Sequence, residues 1–426
     1  MTVGEELYKL VAELYPICRS ITGDGVRRTL EVVDREVGLV VHEVPTGTAV
    51  LDWTVPREWN VRDAWVAGAD GRRVIDFRAS NLHLLGYSVP VRATMPLAEL
   101  KRHLFTIPEH PDWIPYRTSY YAERWGFCAS QRLVDSLPEG DYEVRVDATL
   151  ADGHLTYGEH VVPGETDEEV LVTCHVCHPS LANDNLSGIA VAARLARLLG
   201  QGRPRYTHRF LFIPGTIGSI TWLARNEDRV GHIRHGLVLA CLGDPGRLTY
   251  KRSRRGDTEV DRAVAHVLAS SGRPHELQDF TPYGYDERQF CSPGFDLPVG
   301  CLSRTPYARY PEYHTSADDL DLVRPEHLQD SLEACWEVLQ VLDGNLRYLN
   351  LKPKGEPQLG RRGLYGSIGG RSDAEERQMA MLWVLNLSDG DHSLLDVAGR
   401  AGLPFALVAE VAGTLEDAGL LRRADG

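Results

Sequence analysis

The sequence predicts an α/β protein: a mixed, mostly parallel sheet flanked by helices, with an inserted β-rich domain and a small C-terminal winged-helix domain. Strand and helix patterns alternate after Val170, short apolar runs separated by turns fill residues 39–130, and three short helical patterns follow Asp373. Alternating strands and helices typically form a parallel sheet covered by helices on both faces. The expected domains are 1–38 with 131–350 (α/β), 39–130 (inserted β-rich), 351–362 (linker) and 363–426 (winged helix).

The first 150 residues change from a helical to a β-rich pattern. Leu7, Val11 and Leu14 lie on one helical stripe, and a second helix is expected from Asp24. The strands expected after these helices are Val50–Val55, Val61–Gly68, Val74–Phe77 and Tyr142–Leu150. Aromatic residues are frequent here and either line a ligand cleft or pack as ordinary core. They are Trp53, Trp59, Trp65, Trp113, Tyr116, Tyr120, Tyr121 and Trp125.

The α/β domain places its predicted strands and helices in strict alternation. The expected elements are strands Val170–Thr173, Arg209–Ile213 and Leu237–Leu242, with helices over Leu186–Leu199 and from Ile217. Such sheets bind ligands beyond the carboxyl ends of their strands. The stretch LKPKGEPQLGRRG has the Pro and Gly content of a linker. The tail that follows has a glycine between its second and third helices, which is typical of a winged-helix or helix-turn-helix fold.

Charge and composition argue against several classes of protein. The 426 residues carry a net charge of −14, and residues 361–426 hold seven arginines against ten acidic residues. Nucleic-acid affinity rests largely on Lys and Arg, so no nucleic-acid partner is expected. The N-terminus lacks a signal-peptide pattern, and no apolar run approaches the roughly 20 residues needed to cross a bilayer. We therefore expect a cytoplasmic protein without a membrane partner, whose eight cysteines are free thiols.

The densest group of chemically active side chains is the stretch CHVCHPSLANDNLSG, residues 174–188. It begins at the end of a predicted strand and runs into a helix, and its imidazoles and carboxylate can converge on a zinc ion. One alternative is a polar helix cap at Asn183 or Asp184 with satisfied histidines. A second is the Cys-x-x-Cys-His attachment motif of c-type haem. The absent export signal and the buried position of the strand count against haem.

The segment Asn183–Gly188 resembles the G-A-N-D-N-x-S-G loop of the co-catalytic zinc aminopeptidases. Residues 313–318 resemble the late metal-binding histidine segment of that superfamily, and residues 284–298 resemble the segment before its last core strand. More closely, the stretches CHPSLANDNLSG, TIGS, KRSRRGD, DERQFCSPG and EYHTSADDLD resemble a family of aminopeptidase-like proteins often found beside polysaccharide or secondary-metabolite biosynthesis. The resemblance implies a zinc-aminopeptidase-like sheet, an inserted β module and a winged-helix tail. It also implies a zinc site and peptide-type chemistry.

Two departures from the superfamily concern its metal ligands. An adjacent Glu pair is expected after the second parallel strand, where this chain has Pro214-Gly215-Thr216. An expected metal-binding Asp is also missing, because the first acid after Leu239 is Asp244. The remaining residues suffice for one zinc per chain with three protein ligands, which is a complete catalytic set. The expected ligands are His178, Asp184 and His314, with His175 as the rival to His178 or an additional ligand.

The missing glutamate leaves the general base to be supplied elsewhere. Glu287 is the first candidate and Asp286 the second, because both lie in the later motif. Alternatively, Glu287 pairs with Arg288 or Arg255 on the surface. Arg254, Arg255 and Tyr313 are the candidate substrate-binding residues, since guanidinium groups can hold a carboxylate or phosphate.

Three functions follow from these residues. The first is a zinc-dependent aminopeptidase-type hydrolase that cleaves an amide in a small peptide or an aminoacylated metabolite. The second is a catalytically silent relative that binds a ligand or partner, because Gly215 replaces the expected glutamate. The third is a DNA-binding regulator, which the acidic tail disfavours. The tail is instead expected to serve packing or dimerisation in a homo-oligomer.

Overall fold

The computed structural model describes residues 1–364 and 374–424. Its α-helices are α1 (Val3–Leu14), α2 (Asp24–Val37), α3 (Leu97–Leu100), α4 (Gln131–Asp135), α5 (Gly188–Leu199), α6 (Ile217–Arg225), α7 (Glu259–Ser270), α8 (Glu287–Phe290), α9 (Pro325–Gly344), α10 (Ala374–Leu387), α11 (Leu394–Ala401) and α12 (Phe405–Asp417). Its strands are β1 (Val40–Pro45), β2 (Ala49–Val50), β3 (Trp53–Thr54), β4 (Glu58–Ala67), β5 (Arg73–Asp76), β6 (Val91–Pro96), β7 (Leu104–Phe105), β8 (Phe127–Cys128), β9 (Asp141–Ala151), β10 (His154–Val162), β11 (Glu169–His175), β12 (Thr207–Ile213), β13 (Ile233–Leu239), β14 (Leu248–Lys251), β15 (His275–Gln278), β16 (Val299–Ser303), β17 (Arg347–Asn350), β18 (Asp389–Ser393) and β19 (Leu421–Arg423).

The chain divides into two compact units. The first contains residues 1–256 and 276–332, and the second contains residues 257–275 and 333–426. The second unit thus includes α7 as well as the winged-helix elements. No helix of the described chain is both long and apolar enough to span a bilayer.

The first unit is built on an eight-stranded sheet in the order β1-β10-β12-β11-β13-β16-β14-β15. The central strands β12, β11, β13 and β16 run parallel, whereas β1, β10 and β14 pair in the antiparallel direction. All seven residues of β11 are buried, as expected for a central strand covered on both faces. The predicted alternation of strands and helices is confirmed, and β11 ends at His175.

The β-rich module forms a separate antiparallel sheet in the order β5-β4-β9-β6. Strand pairing divides the chain differently from the predicted boundaries at two points. Val40–Pro45 pairs with β10 of the main sheet, and Asp141–Ala151 pairs with β4 and β6 of the module. The run Val50–Val55, expected as one strand, is a hairpin, because Val50 pairs with Trp53 across a turn in which Leu51 has a φ of 55°.

The winged-helix part of the second unit comprises α10, α11 and α12 with a three-stranded sheet in the order β18-β17-β19. Ser393 caps α11 with a capping box, and Gly402 ends that helix in the left-handed conformation, so local sequence sets both ends. The first strand of this sheet, Arg347–Asn350, precedes the predicted linker. It joins the domain because it pairs with both β18 and β19.

Candidate metal and catalytic site

The candidate site lies at the carboxyl end of β11, where the chain leaves the central strand and loops into α5. His175 is the last residue of β11, and His178 and Asp184 follow in the connecting loop. Asp318 fixes this loop from another segment: its carboxylate accepts hydrogen bonds from the backbone N–H of Asn183 at 2.6 Å and of Asp184 at 3.1 Å. The Asp184 carboxylate is therefore held in place through its own backbone.

Three histidines surround the Asp184 carboxylate. Its Oδ1 lies 2.8 Å from His175 Nε2, and its Oδ2 lies 3.0 Å from His314 Nε2 and 3.6 Å from His178 Nδ1. One potential ligand atom from each of His175, His178 and Asp184 lies within 4.8 Å of the others. The structure therefore brings together all four residues that the sequence suggested as metal ligands.

The protonation states of His178 and Asp184 suit a metal. Burial lowers the pKa of His178 to about 3, so its imidazole is neutral. Burial opposes ionisation of Asp184, but the neighbouring histidines outweigh it and hold the pKa of this carboxyl well below its ordinary value. His178 Nδ1 is buried and has no hydrogen-bond partner within the described residues. An unpartnered imidazole nitrogen beside an ionised carboxylate is the donor set that zinc prefers, so these residues fit the ion.

The β-rich module contributes a wall of this site through Tyr116. Its ring packs edge-on against His178, with ring centroids 5.2 Å apart, and against His314, with centroids 5.0 Å apart. The backbone N–H of Tyr116 donates to the carbonyl of His314 at 2.8 Å, and Pro115 forms a β-bridge with Thr315. The sequence alone does not distinguish Tyr116 from the other aromatic residues of this module. Its contacts with His178 and His314 identify it as part of the site.

Asp286 lies close to the position of the missing glutamate. A Cβ built on Gly215 would lie 3.1 Å from the Cβ of His175 and 3.5 and 3.6 Å from the two carboxylate oxygens of Asp286. Ser219 donates to Asp286 Oδ1 at 3.0 Å, whereas Oδ2 is buried without a hydrogen-bond partner in the described chain. Burial raises the pKa of Asp286 to about 6. A carboxylate with this pKa is well matched to proton transfer near neutral pH.

Glu287 has a different environment from its neighbour. Its side chain is buried, and its Oε1 lies 2.6 Å from Nζ of Lys251. The same ammonium donates to the carbonyls of Thr281 and Tyr283 at 3.1 and 2.8 Å. Neither Arg288 nor Arg255 is the partner of Glu287. The buried ammonium holds this carboxylate in an ion pair and fixes its position, so Glu287 is a weaker candidate for the general base than Asp286.

The candidate substrate-binding residues fall into two groups. Tyr313 stacks on the ring of His314, with centroids 3.9 Å apart, and therefore belongs to the site. Arg254 and Arg255 both bind the partly exposed Asp296 carboxylate, at 3.0 and 3.1 Å. These ion pairs hold both guanidinium groups at Asp296, away from the histidine cluster. Both arginines therefore belong to a surface ion-pair cluster around Asp296.

The remaining sequence motifs take structural roles. The thiols of Cys174 and Cys177 are buried, and burial raises the pKa of both, which does not favour covalent haem attachment. Asp244, the first acid after β13, accepts hydrogen bonds from Asn183 Nδ2 at 3.0 Å and from the hydroxyl of Thr305 at 2.6 Å. It therefore supports the loop rather than joining the histidine cluster.

Residues 8–345 match the family model described as a domain of unknown function, DUF4910. The chain belongs to the DUF4910 family. Residues 346–423 match a winged helix-turn-helix model, which agrees with the three helices and three strands of the tail.

This DUF4910 protein is 51% identical over 419 residues to a protein of Clostridium acetobutylicum, with 98% of this chain and 96% of the relative covered. That relative is provisionally described as a polysaccharide biosynthesis protein with an aminopeptidase-like domain. A solved structure from the same organism, provisionally described as a peptidase, is 49% identical with a TM-score of 0.94 and covers 99% of this chain and 96% of its own.

More distant solved structures share the fold of the DUF4910 protein. A zinc aminopeptidase from Bacillus subtilis is 13% identical with a TM-score of 0.59, covering 80% of this chain and 95% of its own. An aminopeptidase from Aneurinibacillus sp. strain AM-1 is 14% identical with a TM-score of 0.52, covering 79% and 93%. The aminopeptidase-like fold expected from the sequence motifs is confirmed.

Proposed function

We propose that this DUF4910 protein is a zinc-dependent amide hydrolase of aminopeptidase type that acts on a small peptide or an aminoacylated metabolite. The observation that carries the proposal is the convergence of three imidazoles on the Asp184 carboxylate, at 2.8, 3.0 and 3.6 Å. The aminopeptidase-like fold and the description of the Clostridium relative support the same chemistry.

One zinc ion per chain suits the residues present. His178, Asp184 and His314 would hold it, and His175 would hold the other oxygen of the Asp184 carboxylate. When bound, zinc polarises a carbonyl and makes water more acidic. A second ion lacks the usual superfamily ligands, because Gly215 replaces the expected glutamate and residues 239–243 contain no carboxylate.

Asp286 is the proposed general base. It is buried, its Oδ2 is free of hydrogen bonds within the described residues, and its Oδ1 is oriented by the hydroxyl of Ser219. Such a group can take a proton from the attacking water and pass it to the leaving nitrogen, a role that typically contributes about 10²–10⁴ in rate. Glu287 stays paired with Lys251 and supports the wall of the site.

The walls suggest a small substrate. Tyr116 and Tyr313 cover the rings of His178 and His314, while the His314 side chain remains 32% exposed and marks the open side. A compact amide can approach there, with its ends held against aromatic surfaces. The identity of the acyl and amine groups is to be found by screening aminoacylated compounds.

The test combines metal content with amide cleavage. Protein purified without chelator is analysed for zinc and assayed against aminoacyl 4-nitroanilides, dipeptides and aminoacyl amino sugars, with N-acetylated forms as matched controls. The proposal predicts close to one zinc per chain and cleavage that requires a free amine and is lost in His314→Ala. Zinc-loaded protein that cleaves none of these amides would argue for the second candidate below.

A catalytically silent ligand-binding protein is the second candidate. The observation in its favour is Gly215, which leaves no carboxylate at the position of the superfamily's general base. The two candidates differ in the role of Asp286. If the site only binds, Asp286→Asn will leave ligand affinity unchanged and wild-type protein will show no turnover.

We propose that the protein is a cytoplasmic homo-oligomer. We also propose that it has no nucleic-acid or membrane partner, because the chain and its winged-helix tail are both acidic. Sedimentation of the full chain, with and without duplex DNA at physiological salt, measures the oligomeric state and DNA binding. Salt-sensitive DNA binding at micromolar concentration would contradict the acidic-tail argument.

A further inference from the structure

The connection between α1 and α2 carries a buried arginine that reaches the candidate metal site. Arg19 is only 1% exposed, and its Nε donates to the backbone carbonyl of His178 at 2.8 Å. The two residues are 159 positions apart in the chain. A distant segment therefore holds the main chain of a proposed zinc ligand, and the aminopeptidase-type chemistry proposed above assigns no role to it.

The rest of the Arg19 guanidinium is fixed to the two N-terminal helices. Its Nη1 donates to the carbonyl of Leu14 at 2.7 Å and to the hydroxyl of Thr29 at 3.3 Å. Leu14 is the last residue of α1, and Thr29 lies within α2. The guanidinium is a rigid, planar fork of donors, so it fixes the positions of the groups that it joins. One side chain thus ties both helices to the backbone of His178.

The main chain around Arg19 is held as closely as its side chain. A Cβ at Gly25 would overlap the carbonyl oxygen of Cys18 and would lie 3.0 Å from the Cα of Arg19. The first turn of α2 therefore packs directly against this backbone, and only glycine permits the approach. Arg19 consequently reaches His178 from a fixed base.

A second hydrogen bond joins the same two segments in the opposite direction. The hydroxyl of Ser180 donates to the carbonyl of Tyr15, the residue after α1, at 2.8 Å. Ser180 has a φ of 32°, in the left-handed region that residues with a side chain rarely adopt. The loop that carries His178 thus has an unfavourable backbone conformation at a point where the N-terminal segment binds it.

The burial of the Arg19 guanidinium is costly. No carboxylate among the described residues pairs with it, and its Nη2 has no hydrogen-bond partner there. Burial lowers the pKa of Arg19 to about 10, so the group is still charged at neutral pH. A buried cation without a counter-ion destabilises a fold unless other polar groups compensate it. A role in the site explains this residue better than a contribution to stability does.

The imidazole of His178 depends on its backbone for its position. Its Nδ1 lies 3.6 Å from Asp184 Oδ2 and has no hydrogen-bond partner within the described residues. The ring is otherwise contacted by the rings of Tyr116, His175 and His314. Because Nδ1 is the ring nitrogen nearer to the main chain, a shift of the His178 backbone moves it directly.

We propose that Arg19 is a positioning residue, which holds the backbone of His178 so that its Nδ1 faces the Asp184 carboxylate. This role rests on the proposed function, because it requires zinc to bind at His178, Asp184 and His314. The effect is geometric and acts through the main chain. The positive charge of Arg19 would by itself disfavour a nearby cation, so a purely electrostatic role would have the opposite sign.

The test measures the zinc affinity of the full chain by competition with a chromogenic chelator. Arg19→Met keeps an unbranched stem and removes the guanidinium, so it should weaken zinc binding by about 10–100-fold, as is typical for a group that supports a metal ligand. Arg19→Lys keeps the charge but cannot make the same set of hydrogen bonds. Its zinc affinity should therefore lie between those of Arg19→Met and wild type.

Arg209→Met is the matched control. Arg209 is also buried, at 3% exposure, but it pairs with Glu159 and Glu169 near the end of β12 that lies away from the site. This variant should lose stability, because it leaves two carboxylates without their partner. It should keep the zinc affinity of wild type, so a loss of stability alone does not imitate the expected result.

A double-mutant cycle separates a role through His178 from a general loss of structure. If Arg19 acts through His178, Arg19→Met should cost little further zinc affinity in His178→Ala protein. Arg19→Lys is measured in the same cycle, so the test does not depend on one variant. Circular dichroism under the conditions of the titration confirms that each protein compared is folded.

Three results would overturn this role of Arg19. Zinc affinities of Arg19→Met and Arg19→Lys within about twofold of wild type would show that His178 needs no such anchor. Tighter zinc binding by Arg19→Met would indicate an effect of charge alone. Losses that add fully in the double variant would assign Arg19 to general structure. Absence of zinc binding by wild type would reject the proposed function together with this role, whereas the other three results reject this role alone.

Discussion

The carboxylate of Asp286 lies beside Gly215, within 4 Å of the point where a side chain at that position would begin. The same point is 3.1 Å from the Cβ of His175. The acid that the superfamily places on one strand end can thus be replaced by an acid from the loop before α8. A missing motif residue therefore does not establish a missing chemical group.

Asp286→Asn should abolish turnover without loss of zinc. The change removes the proposed proton acceptor, so the rate should fall by about 10²–10⁴. Glu287→Gln is the matched control, because it changes the adjacent acid that is paired with Lys251. That variant should lose stability, since it leaves a buried ammonium without its carboxylate, but its kcat should stay within about tenfold of wild type. The opposite ranking would assign the base to Glu287, as the sequence first suggested.

The rate should rise as pH increases through about 6. Burial raises the pKa of Asp286 to about 6, and a general base acts only in its ionised form. Below that pH most Asp286 is protonated and cannot accept a proton, so kcat should fall toward acid. A pH profile of kcat measured with zinc kept saturating tests this. A flat profile from about pH 5 to about pH 8 would exclude Asp286 as the titrating base.

Gly215→Glu should not create a better enzyme. Its Cβ would press on His175, and its carboxylate would lie against that of Asp286, so two negative charges would compete in a buried space. We expect weaker zinc binding and turnover no higher than wild type. Gly215→Ala, which adds the Cβ without the charge, separates crowding from repulsion. A more active Gly215→Glu variant would indicate that the site lacks its own base.

His314→Ala should strip most of the zinc. Loss of a group that only supports a ligand typically lowers metal affinity by about 10–100-fold, and loss of a ligand should cost more. His154→Ala is the control, because this histidine lies outside the cluster and is 42% exposed. Zinc analysis after dialysis compares the two variants. Full occupancy in His314→Ala would show that His175 and His178 suffice with Asp184.

Tyr116→Ala should weaken zinc binding by about tenfold, because edge-to-face contacts with His178 and His314 each contribute about 0.5–1.5 kcal/mol. Tyr116→Phe keeps the ring and loses only the hydroxyl, which lies 2.9 Å from the hydroxyl of Tyr120. It should bind zinc within about twofold of wild type. Equal loss in both variants would mean that the hydroxyl, and not the ring, supports the site.

Local sequence patterns predicted the strand ends and the loop that carry the metal-site residues. An apolar run of the length of β11 predicts a buried strand, and polar residues directly after it fall at the ligand-binding edge of the sheet. His175, His178 and Asp184 therefore followed from position in the chain, and His314 from the family resemblance. Their convergence depends on contacts that the fold supplies.

The other differences arise from long-range pairing. Alternation indicates which side chains face a core, but it does not specify which strand is the neighbour. The expected boundaries therefore group β1 with the β-rich module and β9 with the α/β domain, whereas β1 pairs with β10 and β9 pairs with β4. Arg255 and Asp296 are likewise distant in sequence, and the ion pair between them leaves the arginine away from the proposed substrate contacts. No local pattern reports such a partner.

The backbone hydrogen bond from Tyr116 to His314 links the β-rich module to the proposed zinc site. A ligand that stabilises the His314 loop also stabilises every segment hydrogen-bonded to it. Zinc should therefore slow the hydrogen exchange of the Tyr116 and Ser316 amides, whose acceptors are the carbonyls of His314 and Ile114. By the same linkage, substitutions in the module should change zinc affinity without altering a metal-binding residue. If zinc binds as proposed, the inserted domain therefore contributes to its affinity.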